Sequence, residues 1–379
     1  MEQEAPEQEI RILITGAKGF VGRHLIAQLL ETEDVRDAGI MLDENPSATA
    51  SGDRQNSIDR YMAGSMYAKN NRLRIFAGAR AADFYQSSEK PVSFDREGWT
   101  GGVVQGFVEV VQVELEDSDS LAKLIARIQP HHIYHLAARS SGADIDREAV
   151  YAANVSGTRN LLEAAAHLVP FPRVLLASTG YVYGNTDPLR PAREEDPIGP
   201  LWKYGAYTDS KIEMETIARS YRAFAVCARA FAHTGPGQAP TFAVPGFARQ
   251  IVRMERGQET CELRVGNLDA LRDILDVRDV VRAYSALMMS VNWQNIAGEA
   301  LNVSTGQPVR MRQVVEHLIA LSQINPEIIV DPARLRPLDI ATSTGDATRL
   351  AFLTHWKPKI SLDTTLQDLL AYWRTQVKA

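Results

Sequence analysis

Tyr207 and Lys211, in the run Tyr207-Thr-Asp-Ser-Lys211, stand four residues apart and on a helix would share one face, one turn from each other. An ammonium beside a phenol favours the phenolate, so the pair is a proton-transfer device. The same spacing also occurs on solvated helices that do no chemistry. Two further segments give it a context. A run ending in Ala177-Ser178-Thr179 places hydroxyls where a strand would stop, and far upstream lies the loop Gly16-Ala-Lys-Gly19-Phe-Val-Gly22. Glycines let a backbone approach a pyrophosphate, and the helix that follows points its first N–H groups at the charge. The bland alternative is a plain turn into a helix. Directly after a first strand, phosphate binding is the better account.

The elements that must position these residues alternate. Apolar runs at residues 10–15, 108–113, 132–136, 174–177 and 225–230 predict strands, and helical periodicity predicts helices over 20–30, 118–128, 148–168 and 207–222. This is an α/β chain with a doubly wound parallel sheet of the Rossmann type, whose ligands lie at the carboxyl ends of its strands. Residues 1–8 read as a disordered acidic start and 9–231 as the nucleotide-binding domain. Residues 232–379 read mainly as a smaller C-terminal α/β substrate lobe, with strands and helices returning to the main domain. That part holds a Gly/Pro-rich loop at 233–238, a strand at 261–265, and helices near 247–255, 277–290, 310–322 and 362–373. Residues 45–106, rich in Ser, Asn, Gly and Asp with scattered aromatics, read as an insertion: a lid, an oligomer contact or a surface elaboration. The insertion hides the second strand, which falls either at 39–42 or at 73–78.

The chain has 379 residues and a net charge of −6 with no long basic run, which argues against nucleic acid or an anionic membrane as partner. Cys227 and Cys261 are the only cysteines, too few for a disulfide framework or a cysteine-rich metal site. No His/Cys/Asp cluster has metal-ligand spacing, so no metal is expected. The acidic, polar first residues are unlike a signal peptide, and no stretch reaches membrane-spanning length. The expectation is a cytoplasmic protein.

Gly16-x-x-Gly19-x-x-Gly22, His135-Leu-Ala-Ala138, Asn154-Val-Ser-Gly-Thr158, Ser178-Thr179, Tyr183-Gly184 and Tyr207-x-x-x-Lys211 resemble, in order and spacing, the extended short-chain dehydrogenase/reductase family acting on nucleotide sugars. The segments 229–238, 265–273 and 276–280 are similar to the branch holding GDP-mannose 4,6-dehydratases and GDP-4-keto-6-deoxy-mannose reductases. The resemblance implies Thr179, Tyr207 and Lys211 as the catalytic set, with NADP or NAD as cofactor. For the cofactor it implies Gly16, Gly19, Phe20, Val21, Gly22, Asp43, Leu136, Ala137, Ala138, Asn154, Tyr207, Lys211, Phe231 and His233. For the nucleotide sugar it implies Ser140, Ser178, Thr179, Tyr181, His233, Arg272 and Arg336. Asn154 would order a water behind Lys211 or simply start a helix. Arg272 would hold the diphosphate, or else pair with Asp269 or Asp276 at the surface. Asp43, after the first candidate strand, would favour NAD, and Arg80, after the second, would favour a 2′-phosphate. A homodimer through residues 148–168 and 207–222 is also implied.

The residues after Thr179 separate the reactions. Related dehydratases carry a carboxylate there, because eliminating water needs an extra base and an acid. Here the positions hold Gly180 and Tyr181. That favours reduction of the 4-keto group of a nucleotide-linked 4-keto-6-deoxyhexose, with a GDP-sugar first among substrates and Tyr207 as proton donor. An epimerase or 4,6-dehydratase is the enzymatic alternative. A dinucleotide-binding regulator is the non-enzymatic one, disfavoured by the intact Thr, Tyr and Lys. Ala232 departs from the family's asparagine and cannot contact substrate through its side chain.

Overall fold

The computed structural model describes residues 8–37, 71–80, 107–140, 146–199, 205–335 and 340–378. Strands β1 to β6 are Gln8–Thr15, Asn71–Ala79, Phe107–Gln112, His132–His135, Arg173–Thr179 and Ala225–Ala230. Strands β7 to β13 are Ala232–Thr234, Glu262–Val265, Leu271–Asp276, Ala300–Val303, Pro308–Arg310, Glu327–Val330 and Thr342–Ser343. The main sheet runs β10-β6-β5-β4-β1-β2-β3, and every neighbouring pair in it is parallel. Chain order reverses between β1 and β4, so the crevice beyond Thr15 and His135 is the switch point where such sheets take ligands.

Helices α1 to α7 are Phe20–Asp37, Ser118–Ile128, Arg147–Tyr151, Gly157–Ala166, Ala206–Ala218, Ala243–Glu255 and Val277–Met289. Ile12 and Ile14 of β1 face Leu25, Ile26 and Leu29 of α1 and Val280 and Leu287 of α7. Leu13, between them, turns to the opposite cluster with Ile125 of α2, Leu161 of α4 and Met214 of α5. Alternation sends successive residues to opposite faces, and helices cover both, which is why these strands read as mainly apolar runs. The C-terminal half packs a core of its own, in which Phe247 and Ile251 meet Leu263, Leu318, Leu366 and Trp373. One of its strands, β10, returns to extend the main sheet beside β6.

Two expectations change. The second strand is the later candidate: β2 pairs with β1 from Gln8↔Asn71 to Thr15↔Gly78, so residues 45–106 are not one insertion but contain a strand of the main sheet. The earlier candidate and Asp43 lie outside the described residues. The helix expected over 148–168 is broken by a π-helical turn at Ala152–Ser156, between α3 and α4. Such turns bring an otherwise helical side chain into a new direction, and here the residue re-aimed is Asn154. Among the described residues no helix is long and apolar enough to cross a membrane.

Candidate active site

The strand ends of β1, β4, β5 and β6 form one rim. Gly16 closes the first turn with a φ of 72°, and a Cβ there would lie 2.7 Å from Ala137 N. A Cβ on Gly22 would lie 2.4 Å from Gly16 O. Only glycine fits this tight turn, which sets the backbone of Gly19 and the start of α1 at the rim as a cradle suited to a pyrophosphate. Phe20 closes one side: its ring stacks on His233 with centroids 6.2 Å apart, and Val21 packs into the core. His233 Nδ1 donates to Phe231 O at 2.9 Å, and burial pushes its pKa down, so the ring is neutral with Nε2 left as acceptor.

Behind the glycine turn a buried relay ties β1 to β4 and α4. Thr158 Oγ1 donates to Asn154 O at 2.7 Å, so it accepts from His135 Nε2 at 3.0 Å. His135 Nδ1 then accepts from Thr15 Oγ1 at 2.7 Å, which fixes the tautomer. Thr15 in turn receives Ala137 N at 3.4 Å, and Leu136 N donates to Thr15 O at 3.2 Å. The Leu136-Ala137-Ala138 wall is therefore held to the glycine turn, with exposed Ser140 at its outer end.

Burial pushes both His135 and nearby His132 down to about 3 from the ordinary 6.5. Unfolded, each takes up a proton near pH 6.5; folded, neither does until about pH 3. Stability is therefore present above pH 6.5 and lost as pH falls toward 3, by up to about 1.4 kcal/mol per pH unit for each ring. Urea midpoints should drop between pH 7 and pH 5, and His132→Gln should flatten the slope. A pH-independent midpoint would contradict the buried neutral rings.

Asn154 neither starts a helix nor keeps a donor for water. Its Oδ1 accepts from Arg139 N at 2.8 Å, and its Nδ2 donates to Arg139 O at 3.1 Å and Ser210 Oγ at 3.0 Å. Ser210 donates onward to Tyr207 O at 2.7 Å. The amide thus joins the β4 loop to the helix that carries the proton-transfer pair.

Tyr207 and Lys211 lie on α5, with Lys211 Nζ 5.8 Å from the centroid of the Tyr207 ring. The ammonium donates to Ala177 O at 2.6 Å, and burial lowers its pKa to about 8. Tyr207 moves the opposite way from the expected activation. Burial raises it to about 12, the neighbouring Tyr181 adds to this, and a hydrogen bond with Thr179 opposes it. Desolvation dominates, so the phenol keeps its proton at neutral pH, the form a proton donor needs.

Thr179 closes β5 and caps the single 3₁₀ turn Gly180–Tyr183, accepting from Tyr181 N at 3.2 Å. Ser178 does not share its role. Its hydroxyl is buried and donates to Glu215 Oε1 at 2.5 Å, away from any substrate, because adjacent strand residues face opposite ways. Phe231 is likewise turned inward: its ring stacks on Tyr183 at 6.2 Å and fills the space beside Gly180, leaving only its backbone near the rim.

Arg272 lies on β9 and donates to Leu271 O at 2.9 Å, while Asp276 is held by Arg278 and Asp269 faces Arg310. Next to Arg272, buried Asp273 receives Thr305 Oγ1 at 2.6 Å, Thr305 N at 2.8 Å and Gly306 N at 2.9 Å, knotting the loop after β10 beneath the rim. Burial raises its pKa, and the Thr305 and Gly306 bonds oppose the rise. Ala232 opens β7, paired with Ile274 of β9. Arg336 lies outside the described residues. Glu215 went unmarked in the sequence, and His135, Arg229 and Asp273 had only a place within motifs, with no role assigned, although a charged residue inside the apolar run of β6 signals a buried partner.

The sheet order and this rim define an extended short-chain dehydrogenase/reductase of the nucleotide-sugar kind. Residues 97–369 match the family model described as GDP-mannose 4,6 dehydratase, and the chain belongs to that family of enzymes. It is 34% identical over 277 residues, 70% of this chain and 87% of the relative, to the GDP-6-deoxy-D-mannose reductase of Pseudomonas aeruginosa. It is 27% identical over 296 residues, 70% of this chain and 76% of the relative, to the human GDP-mannose 4,6 dehydratase. The solved structure of RMD from Pseudomonas aeruginosa complexed with NADPH aligns with 97% of this chain and 100% of its own, with a TM-score of 0.69 and 28% identity.

Proposed function

We propose that the protein reduces the 4-keto group of a GDP-linked 4-keto-6-deoxyhexose with a nicotinamide dinucleotide. The observation that carries this reading is the pair Gly180 and Tyr181 beside Thr179: no carboxylate stands where elimination of water needs one, while a protonated phenol and a strand-end hydroxyl are present. The reductase relative at 34% identity supports it. The glycine cradle and the neutral His233 edge fit a dinucleotide, which when bound supplies the hydride. Thr179 holds the carbonyl oxygen, and Tyr207 delivers the proton to that oxygen as the alkoxide forms. Lys211 holds the nicotinamide ribose through the ammonium donors not used on Ala177 O.

Arg80 directly follows β2, where an open α/β fold reads the adenosine ribose, and so favours NADPH over NADH. A structural relative is complexed with NADPH, which supports this choice. Arg80→Ala should raise KM for NADPH more than for NADH; equal changes would remove Arg80 from this role.

Incubation with GDP-4-keto-6-deoxymannose and NADPH should consume reduced cofactor in proportion to sugar converted. The profile of kcat/KM for NADPH should fall above about pH 8, because Lys211 is charged below that value and loses its proton above it. Sugar conversion without net cofactor change would favour the dehydratase or epimerase reading instead.

A further inference from the structure

We infer that Glu215 is a positioning residue for the reaction, acting through Ser178 to set Thr179 against Tyr207. Glu215 lies four residues beyond Lys211 on α5, so Tyr207, Lys211 and Glu215 fall on one helix face at successive turns. Its carboxylate is buried and takes its contacts from neighbouring strands. Ser178 Oγ donates to Oε1 at 2.5 Å, Arg229 Nε donates to Oε1 at 3.0 Å, and Arg229 Nη2 donates to Oε2 at 2.7 Å. Arg229, on β6, also gives Nη1 to Tyr183 Oη at 2.7 Å, and Tyr183 donates to Asn302 Oδ1 of β10 at 2.8 Å.

One carboxylate thus fastens the catalytic helix to β5, β6, the turn that follows Thr179, and β10. A buried ion pair is weak evidence for added stability, because desolvation offsets much of the attraction. Its geometric effect is strong, since a forked, fully bonded pair fixes both partners in one arrangement. What it fixes is the residue immediately before Thr179 relative to the helix that carries Tyr207. Misplacing reacting groups by about 1 Å costs on the order of 10²-fold in rate. Thr179 meets the carbonyl oxygen most strongly as it becomes the alkoxide, and the rest of the nucleotide sugar and cofactor is held by other groups, so the loss belongs in kcat more than in KM.

The inference rests on the proposed reductase reading, and the variants separate the two. Glu215→Gln leaves Arg229 buried without its counter-ion and tests folding as much as positioning. Ser178→Ala removes only the link from the clamp to the strand and keeps the ion pair. It should lower kcat about tenfold with KM for nucleotide sugar and cofactor within about twofold, and Ser178→Thr, which restores the hydroxyl, should recover most of the rate. In a Thr179→Ala background, Ser178→Ala should cost nothing further, because the group it positions is gone. Amide exchange at Tyr181, whose N–H is held by Thr179, should quicken in Ser178→Ala, a readout that needs no substrate. A wild-type protein inactive on every 4-keto nucleotide sugar condemns the functional reading while the exchange result still judges the clamp. Unchanged kcat and exchange in Ser178→Ala, or the same fold-loss with and without Thr179, overturns the positioning role.

Discussion

Tyr207→Phe should lower turnover by about 10²–10⁴-fold while leaving the protein folded and able to bind the dinucleotide. The substitution removes one oxygen from a half-buried ring and changes no backbone contact, so stability should move by about 1 kcal/mol or less. The rate effect is large because Tyr207 is the phenol hydrogen-bonded to Thr179, and the other groups beside it are committed. Thr179 accepts from Tyr181 N and meets the phenol, and Lys211 spends a donor on Ala177 O. His233 is held neutral, with its only N–H on Phe231 O. A phenol raised by burial to about 12 keeps its proton at neutral pH, ready to give it to an alkoxide. Fluorescence quenching of bound NADPH, measured beside turnover, separates the two effects. Turnover near the wild-type rate in the phenylalanine variant would remove Tyr207 from the mechanism.

Gly180→Asp should not convert the enzyme into a dehydratase; it should cost folded protein and reductase activity together. A Cβ at Gly180 would lie 2.7 Å from three atoms of the Phe231 ring. The ring cannot retreat, because it stacks on Tyr183 and its far edge abuts Gly345, where a Cβ would lie only 2.2 Å from it. Overpacking of this kind costs about 1–3 kcal/mol for the methyl alone, so Gly180→Ala should already lower the urea midpoint. An aspartate adds an unpaired carboxylate at a buried turn, which costs more. Shrinking the ring should relieve the clash, so Gly180→Ala combined with Phe231→Leu should destabilise by less than the sum of the two changes. Additive losses would mean that the ring is not the obstacle. At Gly180 the absence of a carboxylate is on this account part of the packing.

Much of the scaffold was legible because its signals are local. β1, the Gly16 turn and α1 follow from an apolar run, a glycine spacing and helical periodicity, and the buried strands β4, β5 and β6 show as short, mainly apolar runs. The position of β2 was not legible. Its run, Asn71–Ala79, carries Arg72 and Arg74 and sits between long polar stretches, so periodicity alone left two candidates and pairing with β1 decides between them. The π-helical break at Ala152–Ser156 was hidden because apolar periodicity continues across it.

At the site, residue types and order gave Thr179, Tyr207 and Lys211, but spacing carries no direction. Ser178 and Thr179 look interchangeable in sequence, and only the strand's alternation sends one hydroxyl to Glu215 and the other to Tyr207. The expected lowering of the Tyr207 pKa came from proximity of charge along a helix. The structure adds the burial that reverses it. Arg229 and Glu215 pair across 14 residues between a helix and a strand, a contact that no local pattern specifies.

The most direct test of the account is transfer of the label from NADPH deuterated at C4 of the nicotinamide to GDP-4-keto-6-deoxymannose, read by mass spectrometry and NMR of the product. One deuterium on C4 of the sugar, with one cofactor oxidised for each sugar reduced, is the predicted result. Formation of a 4-keto-6-deoxy sugar from GDP-mannose with no net oxidation of cofactor would contradict it.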